Sequence, residues 1–235
     1  MQKRLDKFLC DAGIGTRSEV KNLIKKGRVC VNQTPAKNAD IKIDESVDVV
    51  TFDGKAVTLV GLVYYMLHKP AGYLSATTDS RDLTVLDLLK DAPGKDLSPV
   101  GRLDKDTEGL LLITNDGDLA HRLLSPRKHV DKTYLVHARD KITPEMAQKL
   151  EQGVDIGDEK PTLPAKTALL DDEKQLLLTI TEGRFHQVKR MLAAVGNEVI
   201  YLKRLSMGPL TLDSALEKGQ WRELTLAEKE SLGVH

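Results

Sequence analysis

The chain has 235 residues, 40% of them apolar, with 35 Lys and Arg balancing 35 Asp and Glu. It is long enough to bury a sizeable core in one large domain or in a small and a medium one. No apolar run approaches the length of a membrane span and no basic-then-apolar leader opens the chain, which excludes a helical membrane protein and makes the cytoplasm the expected location. Cys10 and Cys30 form no CxxC pair and the six histidines show no HxxxH or HExxH spacing, so no metal site is expected. The zero net charge is unevenly spread. Residues 1–42 hold ten Lys and Arg against four Asp and Glu, leaving twenty-five against thirty-one in the remainder, a polarity that suits a polyanion-binding appendage on a separate body.

Residues 3–12 carry Leu5, Phe8, Leu9 and Ala12 on one helical face and stop at Gly13, which predicts a short amphipathic helix. Thr16-Arg17-Ser18-Glu19 fits a capping box that opens a second helix, with Val20, Leu23 and Ile24 apolar and Gly27 as its stop. Arg17, Lys21 and Lys25 follow at steps of four and form a basic stripe on the side away from the core. On charge alone such a stripe is equally a solvated face. Residues 29–31 and 47–50 predict strands, separated by the turn-forming Asn32-Gln33 and a polar middle. The strings RLDKFL from Arg4, AGIGTRSEV from Ala12 and IKKGRVCVN from Ile24 together resemble an S4 RNA-binding domain, of the small αL-like kind, over nearly all of residues 2–50. The resemblance implies salt-dependent phosphate contacts from a basic helical face and its adjoining loop, through Arg4, Arg17, Ser18, Lys21, Lys25 and Arg28.

Residues 53–62 mix Gly, charge and small side chains, and the domain joint is expected there, giving units 1–58 and 59–235. Tyr64-Tyr65-Met66-Leu67-His68 predicts a strand running into the irregular loop Lys69-Pro70-Ala71-Gly72-Tyr73. Val85-Leu86 and Leu88-Leu89 predict a short helix. Then Gly101-Arg102-Leu103-Asp104-Lys105-Asp106-Thr107-Glu108-Gly109 leads into the apolar run Leu110–Ile113 and a turn at Asn115-Asp116-Gly117, which suits a loop entering a buried strand. A lone loop aspartate is most often a turn cap or the partner of a neighbouring Arg such as Arg102. A calcium loop would use Asp104, Asp106, Glu108 and Gly109 at positions one, three, five and six, but its twelfth position must be a bidentate Glu and is Asn115.

Beyond Gly117, Leu119, Ala120, Leu123 and Leu124 predict a helix ending at Ser125-Pro126, followed by the basic loop Arg127-Lys128-His129. Residues 132–138 alternate as a half-buried strand, and by pattern alone Tyr134 is a core or rim aromatic. Thr143-Pro144-Glu145 opens a helix with Thr as N-cap, closed by Gly153. Residues 165–170 and 176–181 predict a hairpin. The polar string from Glu182 through Met191 predicts a helix start, with Gly196-Asn197 as the stop, and Val199–Leu202 a buried strand followed by Lys203-Arg204.

Four of these stretches, in order, resemble the motifs of the RsuA-type pseudouridine synthases: Lys69-Pro70-Ala71-Gly72, the Gly101–Gly117 stretch, Lys132-Thr133-Tyr134, and EGRFHQVKRM from Glu182 with its following strand. Helices interspersed with hairpins predict an α+β catalytic domain, a mainly antiparallel mixed sheet flanked by helices. The family implies conversion of uridine to pseudouridine in ribosomal RNA with no cofactor, and Asp104 as the catalytic residue, acting by attack on ribose C1′, addition to uracil C6 or removal of the C2′ proton. Tyr134 would stack on the target base, Lys189 would be the ion-pair partner of Asp104 with Arg184 in reserve, Arg102 would bind phosphate or fill the gap in the RNA stack, and Leu202 would pack beneath the base. The stretch 125–129 before the Lys-x-Tyr motif is similar to the small-subunit, 16S branch, although enzymes acting on 23S rRNA share the motifs. A monomer working on a small-subunit assembly intermediate is expected. The rival from another class is a non-catalytic RNA-binding assembly factor, which has no need of an acid at position 104.

Overall fold

The computed structural model describes residues 2–58, 61–125 and 128–234; Pro126 and Arg127 of the predicted basic loop lie outside them. Its contacts divide the chain into two compact units, Met1–Gly61 with Pro93–Lys95, and Leu62–Ala92 with Asp96–His235.

The first unit runs β1 (Gln2–Arg4), α1 (Leu5–Asp11), α2 (Arg17–Lys25), β2 (Val29–Val31), β3 (Thr34–Pro35), β4 (Lys42–Asp44), β5 (Val50–Phe52) and β6 (Lys55–Ala56). Leu5, Phe8 and Leu9 of α1 pack with Val20 and Ile24 of α2 over Val29, Ile43 and Val50. The capping box forms: Glu19 N–H donates to Thr16 Oγ1 at 3.4 Å and Thr16 N–H to Glu19 Oε2 at 2.8 Å. The strand expected from Val47 begins only at Val50. Val47 and Val49 are exposed, and local groups take the N–H donors that a strand needs: Val47 and Asp48 N–H turn back to Asp44 O at 3.1 and 2.8 Å, and Val49 N–H donates to Asn32 Oδ1 at 2.9 Å.

The second unit contains β7 (Tyr64–Lys69), a 3-10 turn at Val85–Leu89, β8 (Ser98–Pro99), β9 (Glu108–Thr114), α3 (Gly117–Leu124), β10 (Lys132–Ala138), α4 (Pro144–Gln152), β11 (Lys166–Leu169), β12 (Gln175–Ile180), α5 (Gln187–Ala194), β13 (Val199–Met207), β14 (Leu210–Thr211), β15 (Trp221–Glu223) and α6 (Leu226–Ser231). Among the described residues one nine-stranded sheet has the order β11-β12-β10-β13-β9-β7-β15, with β14 on β13 and β8 on β9. Its pairings are antiparallel except between β13 and β9, which meet in parallel through Lys203 with Glu108 and Arg204 with Gly109. This is the mixed, mainly antiparallel α+β arrangement that the sequence pattern suggested.

The central β9 is buried along its whole length. Leu111 and Ile113 join one apolar layer with Tyr134, Leu202 and, from α5, Val188 and Met191, whereas Leu110 and Leu112 join another with Leu119 of α3. A strand covered on both faces has no reason to alternate, which accounts for the unbroken Leu-Leu-Leu-Ile run. Gly109 has a φ of 108° and sits so close to β13 that an added Cβ would lie 2.2 Å from the Arg204 carbonyl oxygen, so only glycine fits where β9 enters the sheet. The turn after β9 is a helix entry, with Asp116 Oδ1 accepting the Leu119 N–H at 2.9 Å.

Candidate active site

The loop between β8 and β9 carries Asp104, and it is held by its backbone. Lys69, fully buried at the end of β7, donates from Nζ to the carbonyls of Thr107 at 2.8 Å, Pro70 at 3.0 Å, Asp104 at 3.1 Å and Lys105 at 3.3 Å. Burial pushes the Lys69 ammonium down to about 8, against the pull of Asp106, Asp104 and Glu108. The buried Ser75 clamps the residue before Asp104 from both sides: its Oγ accepts Leu103 N–H at 3.0 Å and donates to Leu103 O at 2.9 Å. Gly72 N–H reaches Lys105 O at 2.7 Å and Thr107 N–H closes the turn onto Asp104 O at 3.0 Å. Every one of these bonds goes to main chain, which leaves the Asp104 carboxylate free for charge contacts.

Those contacts come from the stretch at the start of α5. Lys189 Nζ lies 3.4 Å from Asp104 Oδ2, and His186 Nε2 lies 3.7 Å from Oδ1. The shorter bonds of Lys189 go to Asp106, at 2.6 and 2.8 Å. Burial works to raise the Asp106 carboxyl, but the hydrogen bond and charge of Lys189 outweigh it and hold it below its ordinary value. α5 itself starts at Gln187, not at Glu182 as the string suggested. His186 takes a left-handed conformation, φ 46° and ψ 35°, and the preceding polar side chains are spent on local bonds: Gln187 Oε1 accepts Arg184 N–H at 2.9 Å and Gln187 Nε2 donates to Glu182 Oε1 at 2.8 Å. A cleft of about 520 Å³ opens beside Lys189, lined by Asp106, Arg139 and Asn197 among others.

Tyr134 and Leu202 come from adjacent strands. Tyr134 on β10 stands opposite Arg204 of β13, and Leu202 stands opposite Val136; both are buried, in one apolar layer with Leu103, the residue before Asp104. A carboxylate flanked by a lysine and a histidine, on a loop whose Leu103 joins the apolar layer that also holds Tyr134 and Leu202, suits nucleophilic or general-base chemistry. Residues 63–194 match the family described as RNA pseudouridylate synthase, and residues 3–49 match the S4 domain. The chain belongs to the RNA pseudouridylate synthases. This synthase is 51% identical to YtzG, an uncharacterized RNA pseudouridine synthase of Bacillus subtilis, over 96% of both chains. It is 44% identical to ribosomal small subunit pseudouridine synthase A of Vibrio vulnificus, over 97% of this chain and 99% of that one. A crystal structure of a pseudouridylate synthase superimposes with a TM-score of 0.69 at 37% identity, covering 97% and 99% of the two chains.

The other residues singled out in the synthase are less uniformly placed. Arg102 is exposed, with no bonded partner among the described residues. Arg184 is turned away from Asp104 and engaged elsewhere, donating to Lys160 O at 2.6 Å, Pro161 O at 2.8 Å and Glu182 Oε2 at 3.0 Å. In the first unit Arg17, Ser18, Lys21 and Lys25 are exposed on α2. Arg4 is instead paired with Asp6, at 2.8 and 3.0 Å, and Arg28 with Asp53 while it lies over the Phe52 ring, so a phosphate would have to compete for both. Sequence reasoning assigned no role to Lys69, Ser75, Asp106 or His186 individually. For Lys69 a signal existed: a lysine inside the apolar run of a buried strand has to find acceptors.

Proposed function

We propose that the protein isomerises one uridine of small-subunit, 16S-type rRNA to pseudouridine, acting as a cytoplasmic monomer on a small-subunit assembly intermediate. The observation that carries the reading is the Asp104 carboxylate, held through main chain by Lys69 and Ser75 and flanked by Lys189 and His186. The choice of RNA is supported by the end-to-end similarity to the Vibrio small-subunit enzyme. The reaction breaks N1–C1′ and forms C5–C1′, C5 losing a proton and N1 gaining one, so that nothing is added and no electrons are exchanged. Asp104 acts as the nucleophile or base, with Lys189 balancing its charge. Extruding the uridine from its stack costs a few kcal/mol, which stacking on Tyr134 above Leu202 and backbone contacts offset. Irregular or single-stranded RNA is therefore the better substrate. Incubating the protein with unmodified small- and large-subunit rRNA, followed by chemical mapping of pseudouridine, is expected to give one modified position in the small-subunit RNA. Modification of large-subunit RNA alone would place the protein with the 23S enzymes, and binding without modification of either would make it an assembly factor.

Residues 1–58 supply affinity and placement in this reading, and residues 59–235 the chemistry. Arg17, Lys21 and Lys25 are the cations of the stripe that face solvent without an ion pair among the described residues. Three lost phosphate contacts reduce the slope of log affinity against log salt by about 2 on single-stranded RNA. Reversing all three to Glu in the full chain is therefore expected to weaken rRNA binding and flatten its salt dependence by that amount. An unchanged slope would make the stripe an ordinary solvated face.

A further inference from the structure

Phe185 is 75% exposed, among the most exposed large apolar side chains described. Its ring is stacked on His186, centroids 3.8 Å apart and planes 16° from parallel, and His186 reaches to 3.7 Å from Asp104. The arrangement is imposed. His186 holds a left-handed backbone that non-glycine residues seldom adopt, and such strain persists where the surroundings over-determine it. Arg190 supplies that constraint: its Nε donates to Phe185 O at 2.8 Å and its backbone N–H to His186 O at 3.0 Å, while its Nη1 is anchored on Asp158 at 2.6 Å and Ile156 O at 3.0 Å. Arg184 N–H on Gln187 Oε1 fixes the same turn from the other side. The result is a two-ring stack on a backbone held by hydrogen bonds, with the Phe185 ring 75% exposed and His186 within 3.7 Å of the Asp104 carboxylate.

We propose that the Phe185–His186 stack is a second base platform, which receives the unpaired nucleobase next to the target uridine. The reaction itself creates the ligand. Pulling a uridine out of its stack leaves its neighbour with an uncovered face, and splayed bases in RNA are taken up by aromatic side chains. Tyr134, in the apolar layer with Leu103 and Leu202, is occupied by the target base in the proposed function, on which this inference rests, and Phe185 is an exposed ring whose stacked neighbour His186 lies 3.7 Å from Asp104. A platform of this kind reads no base edge, so it accepts any base and favours those that stack more strongly.

The test uses single-stranded RNA carrying 2-aminopurine, either flanking the mapped uridine or in a mixed sequence, titrated with the full-length Asp104→Asn protein so that the bound RNA stays unreacted. Binding is expected to quench the fluorescence of the probe at one flanking position. Adding Phe185→Ala should remove the quench, and Phe185→Tyr should keep it. In otherwise wild-type protein Phe185→Ala is expected to raise KM about tenfold, the loss of one stacked base, with kcat within about twofold, and Phe185→Tyr should restore KM. Equal quenching and equal KM in Phe185→Ala and wild type would overturn the platform. A Phe185-dependent quench on the mixed-sequence RNA from a protein that modifies no rRNA would leave the platform standing and sink the proposed function instead.

Discussion

Asp104→Asn is expected to bind rRNA as tightly as the wild type, within about twofold, and to lose pseudouridine formation by on the order of 10⁴ or more, the scale seen when a catalytic nucleophile is removed. The structure separates the two effects. The loop keeps its shape through Lys69 on the carbonyls of Asp104, Lys105 and Thr107 and through Ser75 on Leu103, none of which involves the carboxylate. Lys189 retains Asp106 at 2.6 and 2.8 Å when the charge at 104 disappears, so no cation is stranded. The amide keeps the size of the side chain but is neither an anion nor a base, and uncharged it is a far poorer nucleophile. Binding and turnover measured on one preparation, the second as release of tritium from C5-labelled RNA, distinguish loss of chemistry from loss of fold. Tritium release by the variant at near wild-type rate would remove Asp104 from the reaction.

Much of the fold was legible because its signals are local. The Thr16–Glu19 capping box, the Thr143 cap with Pro144 behind it and the doubly buried Leu-Leu-Leu-Ile strand each follow from neighbouring residues, and each forms. That Asp104 and Lys189 come together, at 3.4 Å, was legible through motif order. The sequence does not disclose how charge is shared between elements: the closest partner of Lys189 is Asp106, 83 residues away, and Arg184, two residues before His186, is consumed by the 158–161 loop. Arg4 and Arg28 look as free as Arg17 in one dimension, yet each has a carboxylate within reach in the fold. The strand expected at Val47 fails because the N–H groups of Val47 and Asp48 turn back to Asp44 O and that of Val49 goes to the Asn32 side chain. The left-handed turn at His186 has no glycine to announce it.

Lys69 gives the second large effect, visible in pH as well as in a substitution. The buried ammonium serves four carbonyls with three protons, and deprotonation leaves it two. Its folded value of about 8 lies below the 10.5 of an ordinary lysine. Between those values the unfolded chain binds the more protons, so the contribution of Lys69 to stability increases as pH rises through that window, while below about 8 the fold bears the full cost of the buried charge, on the order of 3 kcal/mol. The grip on the Asp104 loop runs the other way, because it depends on the protonated form. Activity is therefore expected to decline above about pH 8 while thermal stability shows no matching loss. In Lys69→Met the carbonyls of Pro70, Asp104, Lys105 and Thr107 lose this donor, at about 1–3 kcal/mol for each that stays buried and unsatisfied, partly offset by relief of the buried charge. The loop should relax more than the sheet beneath it. A carboxylate displaced by about 1 Å costs roughly 10²-fold in rate, so kcat is expected to drop by that order, with rRNA binding little changed and the alkaline decline specific to Lys69 absent. Wild-type activity that stays flat to pH 10, or an identical alkaline limb in Lys69→Met, would show that this lysine does not set the position of Asp104.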